Sequence, residues 1–73
     1  VEASGRLPIS ELNAALELAI PEDAGYETVA GFVLDHVGSI PTQGTVFDAC
    51  GARLTVTAAT PTSVLWVRVS RLS

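Results

Sequence analysis

The first half of the chain places its apolar residues at the three-to-four-residue spacing of α-helices, and the second half alternates apolar with polar residues. The helical spacing predicts a first helix over residues 10–20. Ser10 is suited to be its N-cap, and Pro21 ends it because the residue before a proline disfavours helical backbone. The apolar face of this helix consists of Ile9, Leu12, Leu16 and Ile20.

A second helix is predicted over residues 29–37, after an acidic loop. Thr28 has the side chain of an N-cap, and Gly38 is the residue type that ends helices in left-handed backbone. Gly31 lies inside this helix, where it is about 1 kcal/mol less favourable than alanine. We therefore expect close backbone packing at Gly31. The apolar stripe consists of Val29, Phe32, Val33 and Val37.

Alternation of apolar and polar residues predicts three strands, over residues 45–50, 53–59 and 64–72. Residues 1–6 are interpreted as a further strand at the edge of the same sheet. Two helices followed by strands indicate an α+β fold. In this fold, two helices pack on one face of a small, mainly antiparallel sheet.

A regular hairpin closed by a turn at residues 60–63 fixes which side chains share a face of the sheet. Ala59 then lies opposite Val64, and Ala58 lies opposite Leu65. One face is apolar and faces the helices, whereas the other is polar and faces solvent. The apolar face carries Leu54, Val56, Ala58, Leu65, Val67 and Val69, and the polar face carries Arg53, Thr55, Thr57, Trp66, Arg68 and Ser70.

The length of 73 residues allows one domain, over residues 1–73, because there is no room for a second core. With 48% apolar and 16% charged residues, the composition is that of a folded chain rather than a disordered one. The chain has a single cysteine, which excludes an internal disulfide. It also has a single histidine, and one residue of each type is too few for the usual Cys/His zinc site. No apolar run reaches about 18 residues, so we expect no direct membrane insertion by this fragment.

The charges are unevenly distributed along the chain, whose net charge is −4. All eight acidic residues lie at or before Asp48, where only Arg6 opposes them. The other three arginines follow, without any acidic residue. We expect no nucleic-acid partner, because binding of phosphates needs a larger basic surface.

Four motifs occur in an order that resembles a known family. Residues 5–13 read GRLPISELN, residues 28–34 read TVAGFVL, and residues 38–44 read GSIPTQG. The closing strands supply LTV at residues 54–56 and VRV at residues 67–69. Together these motifs resemble the CorC/HlyC transporter-associated domain over nearly the whole chain.

The resemblance implies a C-terminal fragment of a larger bacterial membrane protein. In that family the domain follows a transmembrane region and paired cystathionine-β-synthase (CBS) domains, in proteins of the magnesium and cobalt efflux or hemolysin-like type. It also ends some sodium/proton antiporters. The chain would then be a non-enzymatic accessory domain on the cytoplasmic side of the inner membrane, where it modulates ion transport. Its implied partners are the CBS and transmembrane domains of the parent chain, or a second copy in a homodimer.

The sequence departs from the family pattern at two places. Thr45 stands where the family commonly has aspartate after the glycine of the third motif, and this weakens any ion-contacting role for that turn. Leu65 and Trp66 stand where the last hairpin of the family usually carries polar residues. Neither departure affects the fold that we expect.

The sequence shows no equipment for catalysis. His36 is the only histidine, the residue type most often used as a general base, and it lies late in the second helix, where a histidine suits the negative end of the helix dipole. Cys50 lies at a strand end before Gly51, and we expect it to be a small buried side chain. Neither residue has a second side chain placed to complete a pair of nucleophile and base. We therefore predict no catalytic residue and no enzyme activity.

No metal or cofactor site is expected either. Glu22, Asp23 and Glu27 are carboxylates of the kind that bind Mg²⁺, but their spacing matches no known cation loop. The turn at residues 38–44 lacks the Gly-Lys-Ser/Thr of a phosphate loop and follows a helix rather than opening one. The family fold is grouped with FAD-binding domains, so a flavin adenine dinucleotide or nucleotide-binding module is the alternative function. That alternative rests on fold analogy, and it points to no binding residues.

The polar face of the predicted hairpin is the candidate interaction surface. It carries Trp66 beside Thr57, with Arg68 and Arg53 at the rim. A tryptophan flanked by threonine and arginine is typical of interface anchors. We predict that this surface contacts either another copy of the chain or the CBS domains of the parent protein.

Overall fold

The computed structural model describes residues 1–22 and 25–72. The order of the elements matches the predicted α+β fold, with two helices on one face of a four-stranded antiparallel sheet. The strand order in the sheet is β1-β4-β3-β2, so that β1 and β2 are the edges. The elements are β1 (Glu2–Ser4), α1 (Ile9–Leu16), α2 (Val29–Val37), β2 (Val46–Ala49), β3 (Ala52–Thr60) and β4 (Ser63–Arg71).

The core lies between the helices and the inner face of the sheet. Residues from α1, α2, β3 and β4 meet there with side chains that are almost completely removed from solvent. Burying branched side chains of this size is the main favourable term in folding. The largest fully buried residues are Ile9, Leu12, Val29, Val33, Leu54, Val56, Val67 and Val69. No helix in the described ranges is long and apolar enough to span a bilayer.

The first helix is shorter than predicted, because it ends at Leu16 rather than at Ile20. Glu17 adopts left-handed backbone, with φ 53°, and stops the helix four residues before Pro21. The Asn13 side chain then holds the next segment: its Oδ1 accepts from the Ile20 N–H at 3.0 Å, and its Nδ2 donates to the Ile20 carbonyl at 2.9 Å. These two bonds hold Ile20 as a buried core residue outside the helix.

The N-cap of α1 also differs from the prediction. Pro8 occupies the cap position, and its side chain makes no capping hydrogen bond. Ser10 therefore lies inside the helix, where it is exposed. The Pro8 carbonyl accepts from the backbone N–H groups of Glu11 and Leu12. Proline suits a helix start because its fixed φ is already helical and its missing N–H is not needed there.

The second helix has the predicted bounds and both predicted caps. The Thr28 hydroxyl accepts from the Gly31 N–H at 3.2 Å, and Gly38 ends the helix with φ 88°. The segments before the two helices pair through a bridge between Pro8 and Thr28. This bridge ties both helix N-termini together, so their relative position is fixed by backbone hydrogen bonds as well as by the core.

The three predicted strands are confirmed, and each observed end differs from its prediction by one residue. The hairpin register is confirmed for pairs such as Val56 with Val67 and Ala59 with Val64. It is wrong between them, because Ala58 lies opposite Trp66 instead of Leu65.

Two compensating irregularities produce this change, one on each strand of the hairpin. Thr57 is the extra residue on β3, and Leu65 is the extra residue on β4. Regular alternation would place Val64 and Val67 on opposite faces of the sheet, because two residues lie between them. The extra residue on β4 lets both valines face the core. Leu65, which strict alternation places in the core, is instead 44% exposed. Bulges re-aim side chains in this way and occur often next to functional sites.

Gly5 lies where β1 leaves the sheet, pressed against β4 and α2. A β-carbon at this position would collide with the Val64 carbonyl oxygen and would lie 3.2 Å from the Ala30 β-carbon. The Gly5 N–H donates to the Leu65 carbonyl at 2.8 Å, so the backbone cannot retreat without losing a sheet hydrogen bond. Gly31 is also tightly placed, but its contact is the Tyr26 β-carbon at 3.0 Å, in the loop before α2 rather than in another helix.

We predict that Gly5→Ala destabilises the fold more than Gly31→Ala does. The Gly31 variant should lose about 1–3 kcal/mol through overpacking against Tyr26. The Gly5 variant should lose more, because the colliding atom is a backbone carbonyl in a central strand. Urea unfolding of both variants measures the difference, with the exposed Ala14→Ser on α1 as a control that should change stability by less than about 0.5 kcal/mol. A Gly5→Ala protein as stable as the wild type would show that this close approach is not a constraint.

Candidate interaction surface

The side of the sheet away from the helices holds all four residues of the predicted surface. We call this side the open face. Trp66 is 46% exposed there, and it lines one depression together with Thr57, Ala58 and Glu2. Arg68 follows two residues later on β4, and Arg53 lies near the other end of the face on β3. The structure therefore brings Trp66 and Thr57 together and places the two arginines along the sheet from them.

Each of these arginines pairs with an acidic residue of a neighbouring strand, which the sequence interpretation missed. Arg68 Nη2 donates to Glu2 Oε1 at 3.0 Å across the β1–β4 pair. Arg53 donates from Nε and Nη2 to the two carboxylate oxygens of Asp48, at 2.9 and 3.3 Å. Solvent reaches both pairs, so they contribute little to folding. Their effect is to hold the guanidinium groups against the sheet and to leave the rim of the surface close to neutral.

The ion pair with Arg53 changes the titration of its partner. The hydrogen bonds from Arg53 hold the pKa of the Asp48 carboxyl below its usual range, and the nearby positive charge acts in the same direction. The same contact raises the pKa of Arg53.

Thr57 is the extra residue of β3, and its hydroxyl is left without a hydrogen-bond partner among the described residues. The Oγ1 atom is buried although the residue as a whole is partly exposed. A buried hydroxyl without a partner is unfavourable by about 1–3 kcal/mol. The irregular hairpin therefore has an energetic cost at Thr57, and this cost accompanies the exposure of Leu65 and Trp66.

A groove joins the open face at the hairpin end of the sheet. It is bordered by the end of β1 at Gly5 and Arg6, the start of α2 at Thr28, and the first residues of β4 at Leu65 and Trp66. The sequence interpretation did not include Arg6 or Leu65 in the surface. The available signal was that both residues at positions 65 and 66 are apolar where the resembled family has polar ones.

His36 and Cys50, the two residues considered for catalysis, do not form a reaction centre. His36 is exposed, and its ring stacks on Phe47 of β2, with ring centroids 4.8 Å apart and planes 15° apart. Cys50 is exposed in the two-residue turn between β2 and β3, so the prediction of a buried thiol is wrong. The reason is the backbone: Cys50 and Gly51 both have positive φ, as tight hairpin turns require, and the side chain then projects from the turn tip.

Of the three carboxylates considered in the acidic loop, Asp23 lies outside the described residues. Glu22 Oε2 accepts from the Asn13 side chain at 3.0 Å, so this carboxylate supports the segment after α1. Within the described ranges, no three histidine, cysteine or acidic residues form a group that could hold a metal ion.

Comparison with known proteins identifies relatives of the whole chain. A model of the CorC_HlyC family, described as a transporter associated domain, matches residues 1–73. No curated protein matches the chain. Among solved structures, the CorC_HlyC domain of a Xylella fastidiosa hemolysin, in complex with Mg²⁺ and Mn²⁺, is 29% identical with a TM-score of 0.85, covering 99% of this chain and 86% of that one.

Two further structures have the same fold. A hemolysin domain from Enterococcus faecalis is 27% identical with a TM-score of 0.85, over 99% of this chain and 87% of that one. The transporter associated domain of a CBS domain protein from Porphyromonas gingivalis has a TM-score of 0.78, covering 99% of this chain and 87% of that one. At 18% identity, the latter likeness concerns the fold alone.

We predict that Arg53→Gln raises the pKa of Asp48 toward the ordinary aspartate value of about 3.9. The wild-type pair favours folding above the pKa of the unfolded chain, because the folded carboxyl binds its proton less readily. That contribution is lost as the pH falls through the lower pKa of the folded state. Carboxyl NMR titration measures the change, and Arg68→Gln is the matched control that should leave Asp48 unaffected. An unchanged Asp48 titration in Arg53→Gln would contradict the assignment.

Proposed function

Because the chain belongs to the CorC/HlyC transporter-associated domain family, we propose that it is a non-enzymatic accessory domain that modulates ion transport by a larger bacterial membrane protein. The parent would be of the magnesium and cobalt efflux or hemolysin-like type, with this domain on the cytoplasmic side of the inner membrane. The domain would act by docking on the CBS domains that accompany it in the same chain.

The half-exposed Trp66 on the open face is the observation that carries this proposal. The opposite face of the sheet is covered by the two helices, whereas Trp66 stands beside Thr57 on a face that no described element covers. Tryptophan, together with tyrosine and arginine, is enriched among the residues that dominate the free energy of binding at interfaces. Burying its ring against a partner would also remove apolar area that a small domain cannot cover by itself.

The ion pairs beside Trp66 suit this docking role. Arg53 and Arg68 are already oriented by carboxylates, so less side-chain freedom is lost when a partner covers them. The pairs make the rim nearly neutral, which favours contact with a surface of mixed charge over contact with a strongly acidic or basic one.

Catalysis, a bound flavin and a metal centre are not part of this proposal. The exposed His36 is engaged with Phe47, and Cys50 stands at the tip of a turn. The Xylella domain was solved with Mg²⁺ and Mn²⁺. On the acidic loop of this chain, the Glu22 carboxylate accepts a hydrogen bond from the Asn13 side chain.

The test is to mix the chain with the purified CBS pair of its parent protein. Trp66 is the only tryptophan in the chain, so its emission reports on its own burial. We expect a blue shift of that emission and a complex of higher mass by light scattering. Trp66→Ser should abolish the complex, because it removes the anchor of the interface.

Leu72→Ser is the matched control. It removes an exposed apolar side chain that lies outside the candidate surface, so it should keep the complex and change the stability of the domain by less than about 0.5 kcal/mol. A wild-type chain that stays monomeric and keeps solvent-like emission, both alone and with the CBS pair, would overturn the docking proposal. A self-associating chain that ignores the CBS pair would replace the proposed partner with a second copy.

A further inference from the structure

The groove at the hairpin end of the sheet combines exposed apolar area with the positive charge of Arg6, which has no carboxylate partner among the described residues. Leu65 and Trp66 are 44% and 46% exposed, and both line the groove because Leu65 is the extra residue of β4. Arg6 lines it from the end of β1. No residue of the lining is acidic, even though Glu27 directly precedes Thr28 in the chain.

Arg6 differs from the other arginines in having no carboxylate partner within the described residues. The other three each donate to an acidic side chain at 3.3 Å or less. Arg6 is exposed. Its backbone N–H, and not its guanidinium group, donates a hydrogen bond to the Ser4 hydroxyl.

The start of α2 adds to the positive character of the groove. Thr28 and Ala30 line it, and the first turn of the helix contains no acidic residue. The N–H groups of this turn are already engaged, since Ala30 donates to the Gly5 carbonyl and Gly31 donates to the Thr28 hydroxyl. The helix therefore contributes the electrostatic field of its positive end, and Arg6 is the residue that contacts an anionic group directly.

We infer that this groove binds a segment of a partner protein in which a carboxylate is adjacent to an apolar side chain. The carboxylate lies at Arg6, and the apolar side chain packs between Leu65 and Trp66. That the segment belongs to the parent's CBS domains rests on the proposed function. The chemistry of the segment rests on the groove alone, through the complementarity of its charge and its exposed apolar area.

A pair of short peptides tests the chemistry without the CBS domains. The probes are an acetylated, amidated Glu-Leu-Glu-Leu tetrapeptide and the Gln-Leu-Gln-Leu tetrapeptide of the same shape. We expect the acidic peptide to shift the indole N–H of Trp66 and the backbone N–H groups of Gly5 and Arg6 in amide NMR spectra. The neutral peptide should bind about fivefold more weakly, which is the effect of one exposed ion pair.

Arg6→Gln should remove the difference between the two peptides. Arg71→Gln is the matched control, because Arg71 is also exposed but pairs with Glu17 and does not line the groove. Equal binding of both peptides by the wild type would overturn the inference, as would shifts that centre on Arg53 and Arg68 instead. Concentration-dependent shifts of the groove resonances without peptide would also overturn it, by showing that a second copy fills the groove.

The CBS pair provides a second arm that separates this inference from the proposed function. If the CBS pair binds the wild type and Arg6→Gln weakens that binding about fivefold with Arg71→Gln unaffected, both proposals hold. If the CBS pair binds all three proteins equally, the docking function stands and the groove assignment fails. If the acidic peptide binds as expected and the CBS pair does not bind, the groove assignment stands and its partner is another protein.

Discussion

The pairing of β3 with β4 is the constraint on which the rest of the fold depends. These nine-residue strands occupy the centre of the sheet, and each also pairs with an edge strand. Their inner side chains, such as Leu54 and Val69, form the floor on which both helices rest. Val64 and Val67 both belong to that floor, although they are three residues apart. Three-residue spacing is incompatible with regular alternation, so the strand must bulge between them.

The bulge links the core to the surface. Placing Val64 inside forces Leu65 and Trp66 outside and leaves the hydroxyl of Thr57 buried without a partner among the described residues. It also sets the position at which Gly5 can approach β4 and donate its N–H to the Leu65 carbonyl. A feature with an energetic cost at Thr57 and a steric demand at Gly5 is consistent with a functional role, because the apolar groove is its visible product.

Most of the fold could be predicted from the sequence because local signals and the core pattern agree. Thr28 and Gly38 bound α2 by cap chemistry, and the strand ends follow from alternation. The first helix was predicted too long, because the spacing of Ile20 continues the helical pattern while the Asn13 side chain holds Ile20 outside the helix. The positions of Trp66 and Arg68 on the open face were predictable. The bulge and the ion pairs were not, since they depend on partners from distant strands that periodicity does not reveal.

We propose that a partner covers Leu65 and Trp66, the two apolar side chains that the irregular hairpin exposes. Hydroxyl-radical footprinting measures this most directly, because it reports the solvent accessibility of individual side chains in the isolated chain and in the intact parent protein. We expect oxidation of Leu65 and Trp66 to fall severalfold in the parent, while Leu72, which is 40% exposed and directly follows β4, is oxidised equally in both. Equal oxidation of Trp66 in the isolated chain and in the parent would contradict the claim.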